Sequence, residues 1–383
     1  MTERLYYTDC YLQKFRARVV EASHDGCRVY LDRSAFYPAS GGQPHDLGFV
    51  EGQPVVEVVD EEDRIAHVVA SPVLSSLVDC AVDWPRRYDH MQQHTGQHLL
   101  SAVWRELFGF PTLSFHMGGE VSTIELGAGE LRDSQIDAAE ARANAIVREA
   151  RPVTIGFTEA EAVEGLRKPS AREGTIRIVE IEGLDRSACG GTHVRSTAGT
   201  APIQMRRLEK IRGNVRIEFV CGERALRRAK ADYRICSELS RVAGASVDAL
   251  PEAVSSLRSR LTAAEKEKQR LESEVARFEG VALYRQIDPS LDGIRRIRLE
   301  VPIINDAVRA KLQAFAGQGR ALAIAAGPAG VLIACSENSG FNAGAIVKAA
   351  LPRGGGSATL AQASLPDLSF IVQLEEALGF GAG

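Results

Sequence analysis

The sequence predicts an α+β protein of several domains: a small N-terminal β-barrel, an α+β domain, a helical coiled-coil linker and a C-terminal α/β domain. Three observations predict it. Up to about residue 86, apolar residues alternate in short runs split by turn residues. From Asp89 they recur at helical spacing. Between Val254 and Ala282 they step by three and four, and strand-like and helix-like runs then alternate to the C-terminus.

In the first segment, 1–86, Arg16–Val20, Cys27–Leu31, Pro54–Val59 and Ile65–Val69 read as strands, with Asp25-Gly26 as a turn. Strands this short and evenly spaced suit a small barrel. In the second, 87–222, Leu99, Leu100, Val103 and Leu107 mark a helix that Asp89 can cap and Gly109 stops. A second helix is expected over Asp133–Arg151, and strands over Arg177–Ile181 and Val215–Val220. The third segment, 223–284, carries Val254, Leu257, Leu261, Ala264, Lys268, Leu271, Val275, Phe278 and Ala282 as a heptad seam. A seam so narrow needs a partner, within the chain or from a second subunit, and a homodimer through this helix or the C-terminal domain meets that need. The fourth, 285–383, has expected strands at Ile297–Val301, Ala321–Ala325 and Val331–Cys335, helices at Val308–Phe315 and Ala343–Leu351, and a pattern-breaking Arg353-Gly354-Gly355-Gly356-Ser357 run.

Composition narrows the function classes. The mix of 45% hydrophobic and 25% charged residues is that of a globular protein with several cores in its 383 residues. No basic-then-apolar leader opens the chain, and no apolar run nears the roughly 20 residues that span a bilayer, so no membrane role is expected. Seven irregularly spaced cysteines argue against a disulfide framework and for a reducing, cytoplasmic setting. The net charge is −4, yet residues 203–241 hold eleven Lys/Arg against five Asp/Glu, a local density suited to a phosphate backbone or simply to a solvated helix face.

The strongest chemical signal is a pair of half-sites. His94-Thr95-Gly96-Gln97-His98 sets two imidazoles at i and i+4, on one helix face. Cys189-Gly190-Gly191-Thr192-His193 sets a thiolate and an imidazole four residues apart, where two glycines oppose a helix and permit a tight loop. His94, His98, Cys189 and His193 together form a sound ligand set for one zinc ion, Zn2+. His90, one turn before His94, is a lesser candidate because nothing mirrors it in the second half-site.

These half-sites carry a family resemblance. His94-Thr95-Gly96-Gln97-His98-Leu99-Leu100 and Ser187-Ala188-Cys189-Gly190-Gly191-Thr192-His193-Val194 closely resemble the editing domain of alanyl-tRNA synthetases and the freestanding editing proteins called AlaX. The run from Leu31 to Gly48, with Ser40-Gly41-Gly42-Gln43, is similar to the glycine-rich barrel motif of that family, and Ser114–Gly118 resembles the freestanding members. The tail around Arg353–Gly356 and Ala361-Gln362 resembles the C-terminal domain shared with DHH-type phosphoesterases, although no Asp-His-His occurs in the chain. The long form, AlaX-L, fits best, since the matches run in the family's order along nearly the whole chain. With the barrel motif at the start of the sequence and no adenylate-forming domain before it, the expectation is trans-editing without aminoacylation. The family removes serine, and in some members glycine, wrongly esterified to alanine tRNA.

The resemblance implies zinc-dependent deacylation of mischarged tRNA(Ala). Gln43, Ser34 and His116 are then the candidate catalytic residues, and Gly41 and Gly42 line the substrate. Ser34 stands where the family usually has Thr, and Ser40 where it often has a third Gly. Ser34 keeps a hydroxyl able to pair with a serine side chain. Zinc is left two roles, holding the water or the substrate's amino group. The 203–241 stretch is expected on the acceptor stem. Lys348, Arg353, Gly354 and Gly355 are expected on the tRNA body, in a tail of nine basic and eight acidic residues. The competing reading is a zinc-stabilised RNA-binding module without catalysis.

Overall fold

The computed structural model describes residues 1–160, 163–168, 174–328, 330–350, 353–364 and 369–380. It is a multi-sheet α+β chain that divides into two compact units, Met1–Ser237 and Glu238–Gly383.

In the first unit, six strands between Lys14 and Val82 close into a barrel; Lys14–Ala22 pairs with Arg28–Leu31 on one side and Leu77–Val82 on the other. Alternation explains most of its core: Val29 and Leu31, and Ile65 and Val69, turn inward, while an irregularity between Val55 and Glu57 lets Val55 and Val58 both do so. Helix α1, Trp84–Phe108, follows the last barrel strand directly. It begins five residues earlier than its apolar period indicates. The Asp83 side chain accepts from Arg86 N at 3.3 Å and Pro85 sits in the first turn, so Asp83, not Asp89, is the cap. Asp89 instead pairs with Arg224.

Against α1 lie helix α2, Asp133–Arg148, and two antiparallel sheets. The four-stranded sheet runs Ile203–Ile211, Asn214–Cys221, Ser122–Leu126, Thr112–Met117; the three-stranded sheet runs Val153–Glu159, Thr175–Ile181, Asp185–Ala188. Leu99, Leu100, Val103 and Trp104 of α1 bury their side chains against Ile124, Ile217 and Phe219. Helix α3, Gly222–Ala243, leads out of this core.

In the second unit, helix α4, Leu250–Gln286, carries the heptad seam. A five-stranded sheet follows: Arg295–Glu300, Ala321–Gly327, Gly330–Cys335, Leu360–Ala363, Gly354–Gly356. Both faces are buried. Leu322, Ile324, Val331 and Ile333 pack to one side; Ala323, Ala325, Leu332 and Ala334 pack to the other, with Leu312 and Phe315 of helix α5, Asp306–Ala316. Only the first strand pair, bridged by α5, is parallel. The Gly327–Gly330 connection is too short for a crossover and forces an antiparallel hairpin. The glycine run expected to break the pattern is an edge strand paired with Leu360–Ala363. A Cβ on Gly354 would lie 2.3 Å from Val347, so close packing, not loop freedom, requires that glycine.

Candidate metal centre

Three local structures deliver the metal-binding candidates. On α1, His94 and His98 lie one turn apart, both buried. The Cys189–His193 segment is the loop that follows strand Asp185–Ala188. Arg177 clamps this loop, donating to Cys189 O at 2.6 Å and Gly191 O at 2.9 Å. At Gly191 a Cβ would stand 2.1 Å from His94 Cε1, so only glycine lets the loop pass the imidazole.

The ligand atoms of His94, His98, Cys189 and His193 lie within 4.8 Å of one another, a group that can hold a metal ion. Cys189 Sγ is 3.5 Å from His94 Nε2 and 3.3 Å from His193 Nε2. Tetrahedral zinc with its usual bond lengths sets N···S edges of about 3.6 Å, close to both of these separations, and the donor types suit that ion.

Each imidazole is oriented through its other nitrogen. His94 Nδ1 donates to Gln43 Oε1 at 2.8 Å, His98 Nδ1 to Asp185 Oδ2 at 2.9 Å, and His193 Nδ1 meets Thr95 Oγ1 at 3.1 Å. This arrangement leaves the three Nε2 atoms for a cation. Gln43 is itself fixed, donating to Thr192 Oγ1 at 2.9 Å and accepting from Thr192 N at 3.2 Å.

The charges agree. Burial raises the Cys189 pKa, but the nearby His94 and His193 rings outweigh it and hold the thiol well below its ordinary value. Burial also pushes His98 down, yet the bond to Asp185 and the neighbouring Cys189 raise it to about 9. His193 is driven to about 3, by burial first and then by His94. Thiolate is the form that binds metal.

A cleft of about 550 Å³ opens on this group, lined by Tyr7, Ser40, Gly41, Ser114, Phe115 and Lys168 among others. Gly41 and Gly42 have φ of 56° and 84°, and Ser40 and Gln43 exchange backbone hydrogen bonds of 3.1 and 2.9 Å. The motif is therefore a two-residue hairpin turn that needs left-handed backbone at both positions and aims Gln43 inward.

Of the residues expected there, Gly41 lines the cleft, Gln43 acts on it through His94, and Gly42, Ser34 and His116 are not part of its lining. Ser34 is fully buried in the barrel, where its hydroxyl contacts His67 Nε2 at 2.7 Å and accepts from Phe36 N at 3.1 Å. His116 is exposed, on a strand that leaves the cleft after Phe115. Lys348 and Arg353 are exposed in the second unit, as are Gly354 and Gly355. His90 lies outside the metal group.

Sequence reasoning missed Asp185, Thr95, Thr192 and Arg177. Thr95 and Thr192 stand beside ligands and were within reach of a search for imidazole partners. Asp185 and Arg177 gave no such signal, since Asp185 meets His98 only when its strand folds against α1, and Arg177 meets Cys189 O and Gly191 O only when the loop folds back on its strand.

The family model described as threonyl and alanyl tRNA synthetase second additional domain matches residues 176–218, which include Cys189 and His193. The chain is 33% identical over 270 residues to alanyl-tRNA editing protein Aarsd1 of Danio rerio, covering 65% of this chain and 66% of the relative. It is 36% identical over 241 residues to alanyl-tRNA editing protein AlaX-L of Pyrococcus horikoshii, covering 59% of each. It is 31% identical over 394 residues to alanine–tRNA ligase of Pyrococcus abyssi, covering 96% of this chain and 42% of the ligase. The matches thus span two thirds or less of the editing proteins' length. The chain belongs to the AlaX-type family of alanyl-tRNA editing proteins.

Proposed function

We propose that this protein deacylates mischarged tRNA(Ala) in trans, with Ser-tRNA(Ala) the first substrate and Gly-tRNA(Ala) the second, and does not aminoacylate. The observation that carries the reading is the convergence of three oriented imidazoles and the Cys189 thiolate at the floor of an open cleft.

Zinc held there supplies Lewis acidity for ester hydrolysis. The chain's own residues do the rest. Gln43, Asp185 and Thr95 hold His94, His98 and His193 in orientation. The Gly41-Gly42 turn brings backbone close to a bound aminoacyl group. Lys168 and Ser114, at the rim of the cleft, are placed to meet the terminal nucleotide. The acceptor stem is assigned to the 203–241 region, and the tRNA body to Lys348, Arg353, Gly354 and Gly355.

Purified protein challenged with Ser-, Gly- and Ala-charged tRNA(Ala) should release serine fastest and spare alanine. Cys189→Ala should lose both zinc and activity. Full activity in zinc-free Cys189→Ala overturns the metal-centred reading. Because four protein ligands complete a tetrahedron, a zinc-stabilised RNA-binding module is the second reading. It predicts zinc and tRNA binding with no release of any amino acid.

A further inference from the structure

His90 is buried, with 3% of its surface exposed, and its Nδ1 has no hydrogen-bond partner among the described residues. It faces a second cavity of about 390 Å³, lined also by Arg86, Asp89, Arg224 and Arg227 and by Gly118–Gly119. Nδ1 is itself shielded from solvent, so the ring meets the cavity through its other atoms and the arginines set the chemistry of the site.

The charge of this cavity is one-sided. Three guanidinium groups face one carboxylate. Arg224 is committed: it donates to Asp89 Oδ1 at 2.8 Å and Oδ2 at 2.7 Å, and to Gly118 O at 2.7 Å. Arg86 gives its Nε to His45 O at 3.1 Å and keeps its terminal nitrogens. Arg86 and Arg227 form no ion pair among the described residues. Burial, and then Arg86, Arg224 and Arg87, drive His90 down to about 3, so the ring is neutral and the positive charge beside it is left uncompensated.

Its position ties the cavity to the metal centre. His90 and His94 are one turn of α1 apart, a rise of about 6 Å. Pro44, next to Gln43, lines the cavity, and Met117 N bonds Gly42 O at 3.1 Å immediately before Gly118. The same two segments thus wall the cleft on one flank and this cavity on the other.

We propose that the cavity is a subsite for a backbone phosphate of the RNA whose 3′ end occupies the cleft. Arg86 and Arg227 neutralise it, and the uncharged His90 ring forms part of the wall beside it. The inference rests on the function proposed above, because it needs an RNA 3′ end in the cleft. It goes beyond that function in naming what the basic flank recognises and in placing His90 on the wall of that site, outside the metal group.

The test uses the full-length protein and an uncharged acceptor-stem minihelix ending in CCA, so that no hydrolysis is required. Affinity is measured against salt for the parent protein and for Arg227→Ala, a change at an exposed helix position. Arg227→Ala should weaken binding by about three- to tenfold and reduce the slope of log K against log salt by about 0.7 to 0.9, the loss of one phosphate contact. Replacing one linkage near the 3′ end by a neutral methylphosphonate should cost the parent as much, and should cost Arg227→Ala nothing more. An unchanged slope, or losses that add at every linkage, overturns the proposal. So does a shift of the His90 ¹⁵N resonance with inorganic phosphate that the minihelix does not reproduce, which identifies a site for free anions only. A protein that binds through this subsite but releases no amino acid sinks the deacylase reading alone.

Discussion

Gln43 Oε1 accepts a hydrogen bond from His94 Nδ1 at 2.8 Å, joining the barrel's glycine turn to the metal centre. Through this bond the barrel sets the orientation of a ligand carried by another element. Gln43→Ala should therefore lower zinc affinity by about 10- to 100-fold, the usual effect of losing a ligand's hydrogen-bond partner. A chelator competition titration reads this directly. Affinity equal to the parent's would show that His94 is held by packing alone.

Gly191→Ala should cost the metal while sparing the fold. The added methyl would lie 2.1 Å from His94 Cε1 and 2.4 Å from Nδ1, and ring and loop cannot both stay. Zinc content should fall while far-ultraviolet circular dichroism is unchanged. Stoichiometric zinc in this variant contradicts the geometry.

Arg87 and Asp46, both with fully buried side chains, pin α1 to the barrel. Arg87 also donates to Cys10 O at 3.0 Å and Ala35 O at 2.5 Å, and Tyr37 N donates to Asp46 at 2.7 Å. Arg87→Met leaves a buried carboxylate unpaired and should destabilise the first unit by about 3–5 kcal/mol in urea titration. A loss under about 1 kcal/mol would mean that the pair is dispensable.

Acid should destabilise the barrel through His67. Burial lowers its pKa to about 4 from 6.5, against the opposing bond to Val29 O. As pH falls through 6.5 the unfolded chain takes up a proton that the folded chain refuses until about pH 4. The His67 contribution is therefore full above pH 6.5 and declines between 6.5 and 4, by ~3 kcal/mol in all. His67→Gln should be less sensitive to pH across that window than the parent. Parallel pH profiles for the two proteins would refute this assignment.

The α4 seam should mediate a homodimer. Leu261, Leu271 and Phe278 are 60, 46 and 71% exposed. Arg258 and Arg260 flank the seam at its start, and Glu265, Glu267, Glu272, Glu274 and Glu279 flank it thereafter. The parent should sediment as a dimer, and the Leu261→Glu/Leu271→Glu double variant as a monomer. A monomeric parent at high concentration rejects the seam as a self-association surface.

Much of this was legible in one dimension, because it depends on local periodicity and spacing. The strands Ile65–Val69 and Val331–Cys335 show their pattern in the sequence, and Gly109 ends α1 in the left-handed conformation that glycine favours. The four metal candidates were legible for the same reason: i, i+4 on a helix and two glycines in a loop are local geometry. The boundary of α1 was not, because the Asp83 cap lies ahead of the apolar stripe that announces the helix.

By itself, then, the sequence determined the barrel strands, the α1 and α4 helices, the two half-sites and the family resemblance. Only the tertiary structure decided what surrounds them. It folded Ser34 into the barrel against His67, left His116 on an exposed strand, and turned His90 into a cavity of arginines away from the metal group. It also supplied Asp185, from strand Asp185–Ala188, as the partner of His98 on α1. The physical reason is range. Helix and strand periods are set by neighbours a few residues apart, whereas a hydrogen bond between side chains 87 positions apart exists only once the packing of both elements has fixed its length.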